Sequence, residues 1–218
     1  MQYGSSASLD ITEMRSDCAF CQRDGIARYI LKETPAFRIL ADHAPLVEGH
    51  LLIVPRNHYS CYGAVPPELD EELFALKREV RRFFARFYAP AIFWEHGVFR
   101  QTVFHAHLHC FPFGATEYNP AEAIHKLVVR SQDDIREWYV SQGHYFYLED
   151  THGAFLFAAG MEHYLHVIQR ALRPGAIAHS AYKGWRTPQQ RREEGRPLIE
   201  SAAARWRIFQ QHEVNYAD

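Results

Sequence analysis

Two hydrophobic rhythms divide the chain. In residues 68–88, ELDEELFALKREVRRFFARFY, the apolar positions Leu69, Leu73, Leu76, Val80, Phe83, Phe84 and Phe87 fall at helical spacing. Acids crowd the first turns and arginines the last, Pro66-Pro67 opens the run, and Pro90 ends it. Short apolar runs at 37–42 (FRILAD), 50–55 (HLLIVP), 91–96 (AIFWEH) and 102–111 (TVFHAHLHCF) predict strands. The order strand, strand, helix, strand, strand predicts an α+β fold, an antiparallel sheet covered by one long amphipathic helix.

The pattern changes after Gly114. Residues 119–130 and 133–142 read as helices, and 144–150 with 153–160 as a strand pair joined by Thr151, His152 and Gly153. Residues 162–172 predict a helix stopped by Pro174-Gly175. Residues 183–196 read as a basic, turn-rich linker, and 197–213 as a final amphipathic helix. The expected division is a flexible lead-in over 1–16, a first domain over 17–116, and an α/β extension over 117–218 packed on it. No internal repeat stands out.

Within the last strand the hydrophobic alternation takes an unusual form. His105, His107 and His109 alternate with Ala106, Leu108 and Cys110. A period of two puts the rings on one face, about 6.5 Å apart along the strand, and the apolar residues on the other. Such rings could form an open catalytic metal site. They could also present one imidazole as a nucleophile while its neighbours handle phosphate oxygens and protons. A neutral imidazole is a usable nucleophile at neutral pH if its far nitrogen's proton is held, commonly by a backbone carbonyl.

Composition narrows the options. The chain has 218 residues, a formal net charge of −2 and 47% hydrophobic residues, as expected for one large soluble domain or a domain with an extension. Near-neutral charge argues against a protein that coats duplex nucleic acid. The apolar runs fall short of the roughly 20 residues of a spanning helix. The first residues lack a positive-then-apolar signal, so a cytoplasmic protein without membrane association is expected. Four cysteines make no disulfide framework, and Cys61 and Cys110 suggest no role. Cys18 and Cys21 form a CxxC pair, which means metal, redox chemistry or coincidence. No thioredoxin-like strand-CxxC-helix context surrounds it, which weighs against redox. A closed zinc site needs four ligands. The pair supplies two, the strand could give one histidine, and His58, just after HLLIVP, is well placed as the fourth.

CAFC (18–21), GHLLIVPRNHY (49–59), RQTVFHAHLH (100–109) and HAHLHCF (105–111), in this order along the chain, resemble the motifs of the histidine triad family of nucleotide hydrolases and transferases, over about residues 18–113. The resemblance implies the histidine triad fold for 17–116. It implies a structural zinc ion held by Cys18, Cys21, His58 and His105. It implies that His107 attacks the α-phosphate of a nucleotide or nucleotide conjugate, giving a nucleotidyl-histidine that water hydrolyses. His109 would bond phosphate oxygens, Thr102 and Gln101 would face the phosphates or leaving group, and Asp42 would hold the ribose. His50 matches a histidine generally buried behind the sheet, a structural position. The expected substrates are dinucleoside polyphosphates or other AMP-linked compounds. Transfer to phosphate or another acceptor is the second reading, and a non-catalytic nucleotide- or RNA-binding module the third. His109, where the sugar-phosphate transferase branch carries Gln, favours hydrolysis.

Two positions depart from the family pattern. Glu95 stands where many relatives carry Asn or Gln near the phosphates, and Arg100 where many carry Gly. A carboxylate there must be protonated, turned away or paired with Arg100. The C-terminal half resembles the region after the triad domain in splicing-factor-like and debranching-associated members. In that half, Lys183, Trp185 and Arg186 either reach over the site or form a solvated basic loop. Relatives often pair two-fold through the long helix and an extended sheet, which points to a homodimer unless the extension occupies that surface.

Overall fold

A computed structural model of the chain describes residues 14–114, 126–167 and 187–215. Its centre is built from the apolar runs read above. Strands β2 (Phe37–Ala41) and β3 (Leu51–Pro55) are buried along their whole length and pair antiparallel, Ile39 opposite Ile53. β5 (Leu108–Phe111) adds to β3, and β4 (Ile92–Glu95) adds to β5. An edge strand β1 (Ile30–Glu33) pairs with β2 through an irregular register. The sequence pattern missed β1 because its residues are mostly half-buried and carry no alternation.

The sheet does not stop at residue 116, where the sequence pattern placed the end of a first domain. β7 (Phe146–Glu149) pairs with β4, β8 (Ala154–Phe157) with β7, and β6 (Lys126–Val128) with β8. The result is one antiparallel eight-stranded sheet in the order β1-β2-β3-β5-β4-β7-β8-β6. This corrects the helix expected over 119–130. Residues 119–125 lie outside the described set, but Lys126–Val128 is a strand, drawn into the ladder of β8. The other helices are a short turn α1 (Arg23–Ile26), α2 (Asp70–Phe87), α3 (Gln132–Gln142) and α4 (Met161–Val167).

Cross-strand partners share a face, which sorts the core into two sides. Leu51, Ile53, Phe93, Leu108 and Cys110 meet Leu73, Leu76, Val80, Phe83 and Phe84 of α2, as the helical spacing predicted. Leu40, Leu52 and Val54 lie on the opposite side with Cys18, Phe20 and Cys21. His109 stands opposite Leu52 and Trp94, and so faces that second side.

The last helix, α5 (Pro188–Asn215), begins well before Pro197, so residues 188–196 are not a linker. The Gln, Arg and Glu residues around Gly195 and Pro197 are good helix formers and carry the helix through both. Its Trp206 ring stands 4.8 Å from Phe83 of α2, with Phe209 5.6 Å from the same ring. Relatives were expected to pair through the long helix and an extended sheet; in this chain β7 occupies the β4 edge and α5 packs Trp206 against Phe83 of α2. No helix among the described residues is long and apolar enough to cross a membrane. Trp206 is 1% exposed. Its replacement, Trp206→Ala, should cost about 3–5 kcal/mol, read by urea unfolding of the full chain.

Candidate metal centre and histidine cluster

The three rings do not stand on one regular strand. The ladder begins only at Leu108. Upstream, the His105 amide donates to the Val103 carbonyl at 2.9 Å, and the Ala106 amide to Tyr59 at 2.6 Å. These bonds take the amides out of the sheet, which corrects the strand expected over 102–111. The inward side holds nonetheless, since Ala106, Leu108 and Cys110 are all buried. Freed from strict register, each ring has a different partner.

His105 is completely buried between a carbonyl and two thiols. Its Nε2 lies 2.9 Å from the Pro55 carbonyl oxygen, which can only accept, so Nε2 carries the proton. Nδ1 then turns a lone pair toward Cys18 Sγ at 3.4 Å and Cys21 Sγ at 3.6 Å. His58 Nδ1 is 3.5 Å from Cys21 Sγ. The four donor atoms of Cys18, Cys21, His58 and His105 lie within 4.8 Å of one another. A tetrahedral zinc ion, with Zn–S about 2.3 Å and Zn–N about 2.0–2.1 Å, sets sulfur and nitrogen roughly 3.5 Å apart. The donor set and its spacing fit that ion, and the Pro55 carbonyl supplies the second-shell acceptor that fixes a ligating histidine.

His107 is oriented by the preceding turn. Its Nδ1 is 2.7 Å from the His105 carbonyl oxygen, so the proton sits on Nδ1 and the lone pair on Nε2. Burial pushes its pKa down, which keeps the ring neutral at neutral pH. His109, 4.9 Å from it between centroids, is set by a chain of bonds. The Leu46 amide donates to His50 Nδ1 at 3.3 Å, which leaves the His50 proton on Nε2. That proton points at His109 Nδ1, 3.0 Å away, with Asp42 Oδ2 at 3.5 Å. His109 therefore presents Nε2–H. Burial pushes His50 down to about 4 and His109 well below its ordinary value. His50, read from the sequence as structural, belongs to this network.

Among the described residues the three triad rings do not converge on one point, as a metal site built from the triad itself requires. Gln101 is buried and both its amide atoms lack partners, while Thr102 beside it is exposed. A buried amide with neither atom satisfied is a group waiting for a ligand or water. Lys183, Trp185 and Arg186 lie outside the described residues.

A family model described as "Protein similar to CwfJ C-terminal" matches residues 10–126, more than half of the chain. Among solved structures, the chain is similar to a zinc-bound histidine triad family protein from Mycobacterium smegmatis, at 20% identity over 57% of this chain and 94% of that one, TM-score 0.39. It is similar to a HIT family protein from Bacillus anthracis, at 20% identity over 59% and 94%, TM-score 0.41. A HIT family hydrolase from Clostridium thermocellum matches at 23% identity over 49% and 96%, TM-score 0.38. No curated protein matches.

Glu95 is turned away from the histidines. It faces the α2 side, fully buried, where Oε1 accepts from the Tyr62 amide at 2.8 Å and Oε2 from the Tyr145 hydroxyl at 2.6 Å. Arg100 does not pair with it. Its Nη1 lies 3.4 Å from Met161 Sδ, in a turn where Val98 and Arg100 both adopt left-handed backbone, φ 70° and 53°. Burial pushes Glu95 up to about 7, so the folded chain holds this proton more tightly than the unfolded chain. Its contribution is fullest at low pH and falls as pH rises from the unfolded value toward 7. Glu95→Gln removes that loss. Relative to the native chain it should gain about 2–3 kcal/mol between pH 5 and pH 8, measured by urea unfolding at each pH.

Proposed function

Because the chain belongs to the family of proteins similar to the CwfJ C-terminal region, a histidine-triad-like family, we propose that it is a nucleotidyl hydrolase acting at the α-phosphate of a dinucleoside polyphosphate or other AMP-linked compound. The observation that carries this reading is the His107 tautomer. Its proton is tied to the His105 carbonyl at 2.7 Å, which leaves Nε2 as a neutral nucleophile that needs no base.

In the proposed reaction, His107 Nε2 forms a bond to the α-phosphorus, and the leaving group departs with the electrons of the bond that breaks. His109 Nε2–H donates to a phosphate oxygen as charge builds there. The unpartnered amide of Gln101 and the hydroxyl of Thr102 bind the phosphates or leaving group, and Asp42 holds the ribose. Water then takes the phosphorus from His107, its proton passes to solvent, and the neutral ring returns. Cys18, Cys21, His58 and His105 would hold a zinc ion, which would supply structural cross-linking and so fix the His105 ring together with the carbonyl on which His107 rests. Transfer to phosphate shares the first half of this sequence and differs only in the acceptor.

Turnover of a panel of AMP-linked compounds, with and without inorganic phosphate, separates the two acceptors. Hydrolysis predicts a nucleoside monophosphate in both cases, whereas phosphorolysis predicts a nucleoside diphosphate that carries the added, isotopically labelled phosphate. His107→Ala should lower turnover on the order of 10³-fold or more while metal content and melting temperature stay near native. Elemental analysis should give about one zinc ion per chain. The Cys18→Ser, Cys21→Ser double variant should lose that metal and melt earlier. Persistence of metal in that variant would overturn the ligand set.

A further inference from the structure

The C-terminal helix reaches the histidine cluster as well as the core. α5 runs along the loop between β2 and β3. Gly195 sits so close to this loop that a Cβ there would lie 2.5 Å from the Pro45 ring. Farther along, Ser201 Oγ donates to Glu48 at 2.8 Å, and Arg205 Nε is 3.3 Å from the same carboxylate. At its beginning, Arg191 donates through Nη1 to the Ala44 carbonyl at 3.3 Å. The amide of Ala44 in turn donates to Asp42 Oδ1 at 2.7 Å.

This arrangement brings a guanidinium to the Asp42, His50 and His109 group. Its charge bears on all three residues. The Arg191 Nε atom is buried there without a hydrogen-bond partner. Asp42, His50 and His109 lie close enough to chelate a cation. The guanidinium offsets the Asp42 carboxylate, so the group has no surplus negative charge to hold a cation, and an N–H is left over for an acceptor. A planar guanidinium with an unused N–H is the side chain best suited to grip a phosphate. Neutral imidazoles supply donors to the phosphate but no net charge.

We propose that Arg191 is a substrate-binding residue: one arm stays on the Ala44 carbonyl while the unpartnered N–H takes an oxygen of the nucleotide's phosphate. This rests on the nucleotide reading given above and extends it. The site then draws a residue from α5, beyond the segment that the family model matches. An arginine that only clamps α5 to the loop would bind no ligand, and the test must separate the two roles.

Binding to the full chain is measured by calorimetry for the adenine, guanine, cytosine and uracil nucleoside 5′-monophosphates, each beside its parent nucleoside. The native chain should bind at least one monophosphate more tightly than its nucleoside. Arg191→Gln, which keeps a donor for Ala44 but loses the charge, should weaken that monophosphate about tenfold or more and leave the nucleoside unchanged. If Arg191→Gln does not fold, Arg191→Lys carries the same comparison, with a several-fold loss confined to the monophosphate. Equal weakening of both ligands, or of neither, overturns the role of Arg191 and leaves the nucleotide reading standing. A native chain that binds none of these ligands overturns the nucleotide reading, and this inference with it.

Discussion

One buried ring holds the site in place. His105 is clamped at both nitrogens, Nε2 by the Pro55 carbonyl and Nδ1 by the thiols of Cys18 and Cys21. The clamp fixes the ring and, through it, the backbone just ahead of the strand. The His105 carbonyl is the acceptor that sets the proton of His107. A group tied to a metal-type cluster on one side thus dictates which nitrogen of the next histidine is free. Position and protonation state come from a single constraint, and neither requires a strong base in the site.

The second constraint is the register of β3 against β5. With Leu52 opposite His109, the residue just before β3, His50, comes within reach of the His109 ring. The loop that follows β2 then supplies both Asp42 and the Leu46 amide to that pair. α5 lies along the same loop and holds it through Ala44, Pro45 and Glu48. The extension is thus continuous with the first half in two places. It adds β7 to the β4 edge, and it braces the loop that carries half of the histidine network. The partnered β4 edge also removes an open row of backbone donors and acceptors that would otherwise invite pairing with another chain.

How much of this was readable in the sequence follows from the range of each interaction. The α2 stripe and strands β2, β3 and β4 were legible because local periodicity reports burial directly. The CxxC pair, His58 and the alternating histidines were legible as residue types at chemical spacing, and the structure brings Cys18, Cys21, His58 and His105 together. The break in the strand before Leu108 was not, because the bonds that cause it run to Tyr59 and Val103 and leave the alternation intact. Glu95 could not be placed, because its partners Tyr62 and Tyr145 lie 33 and 50 residues away. Strand β6 carries a sequence that suits a helix equally well, and only pairing with β8 decides the matter. Arg191 stood in a stretch that resembled a linker, and its partner Ala44 is 147 residues away.

The measurement that bears most directly on the central claim is the covalent state of His107 during turnover. Rapid quenching of the full chain with a cleavable AMP-linked substrate, followed by mass spectrometry and nitrogen-resolved NMR of the histidine peptides, reports both the residue and the nitrogen that carry phosphorus. A nucleotidyl group on His107 Nε2 is the expected result. Phosphorus on Nδ1, on another residue, or on none while product still accumulates would contradict it.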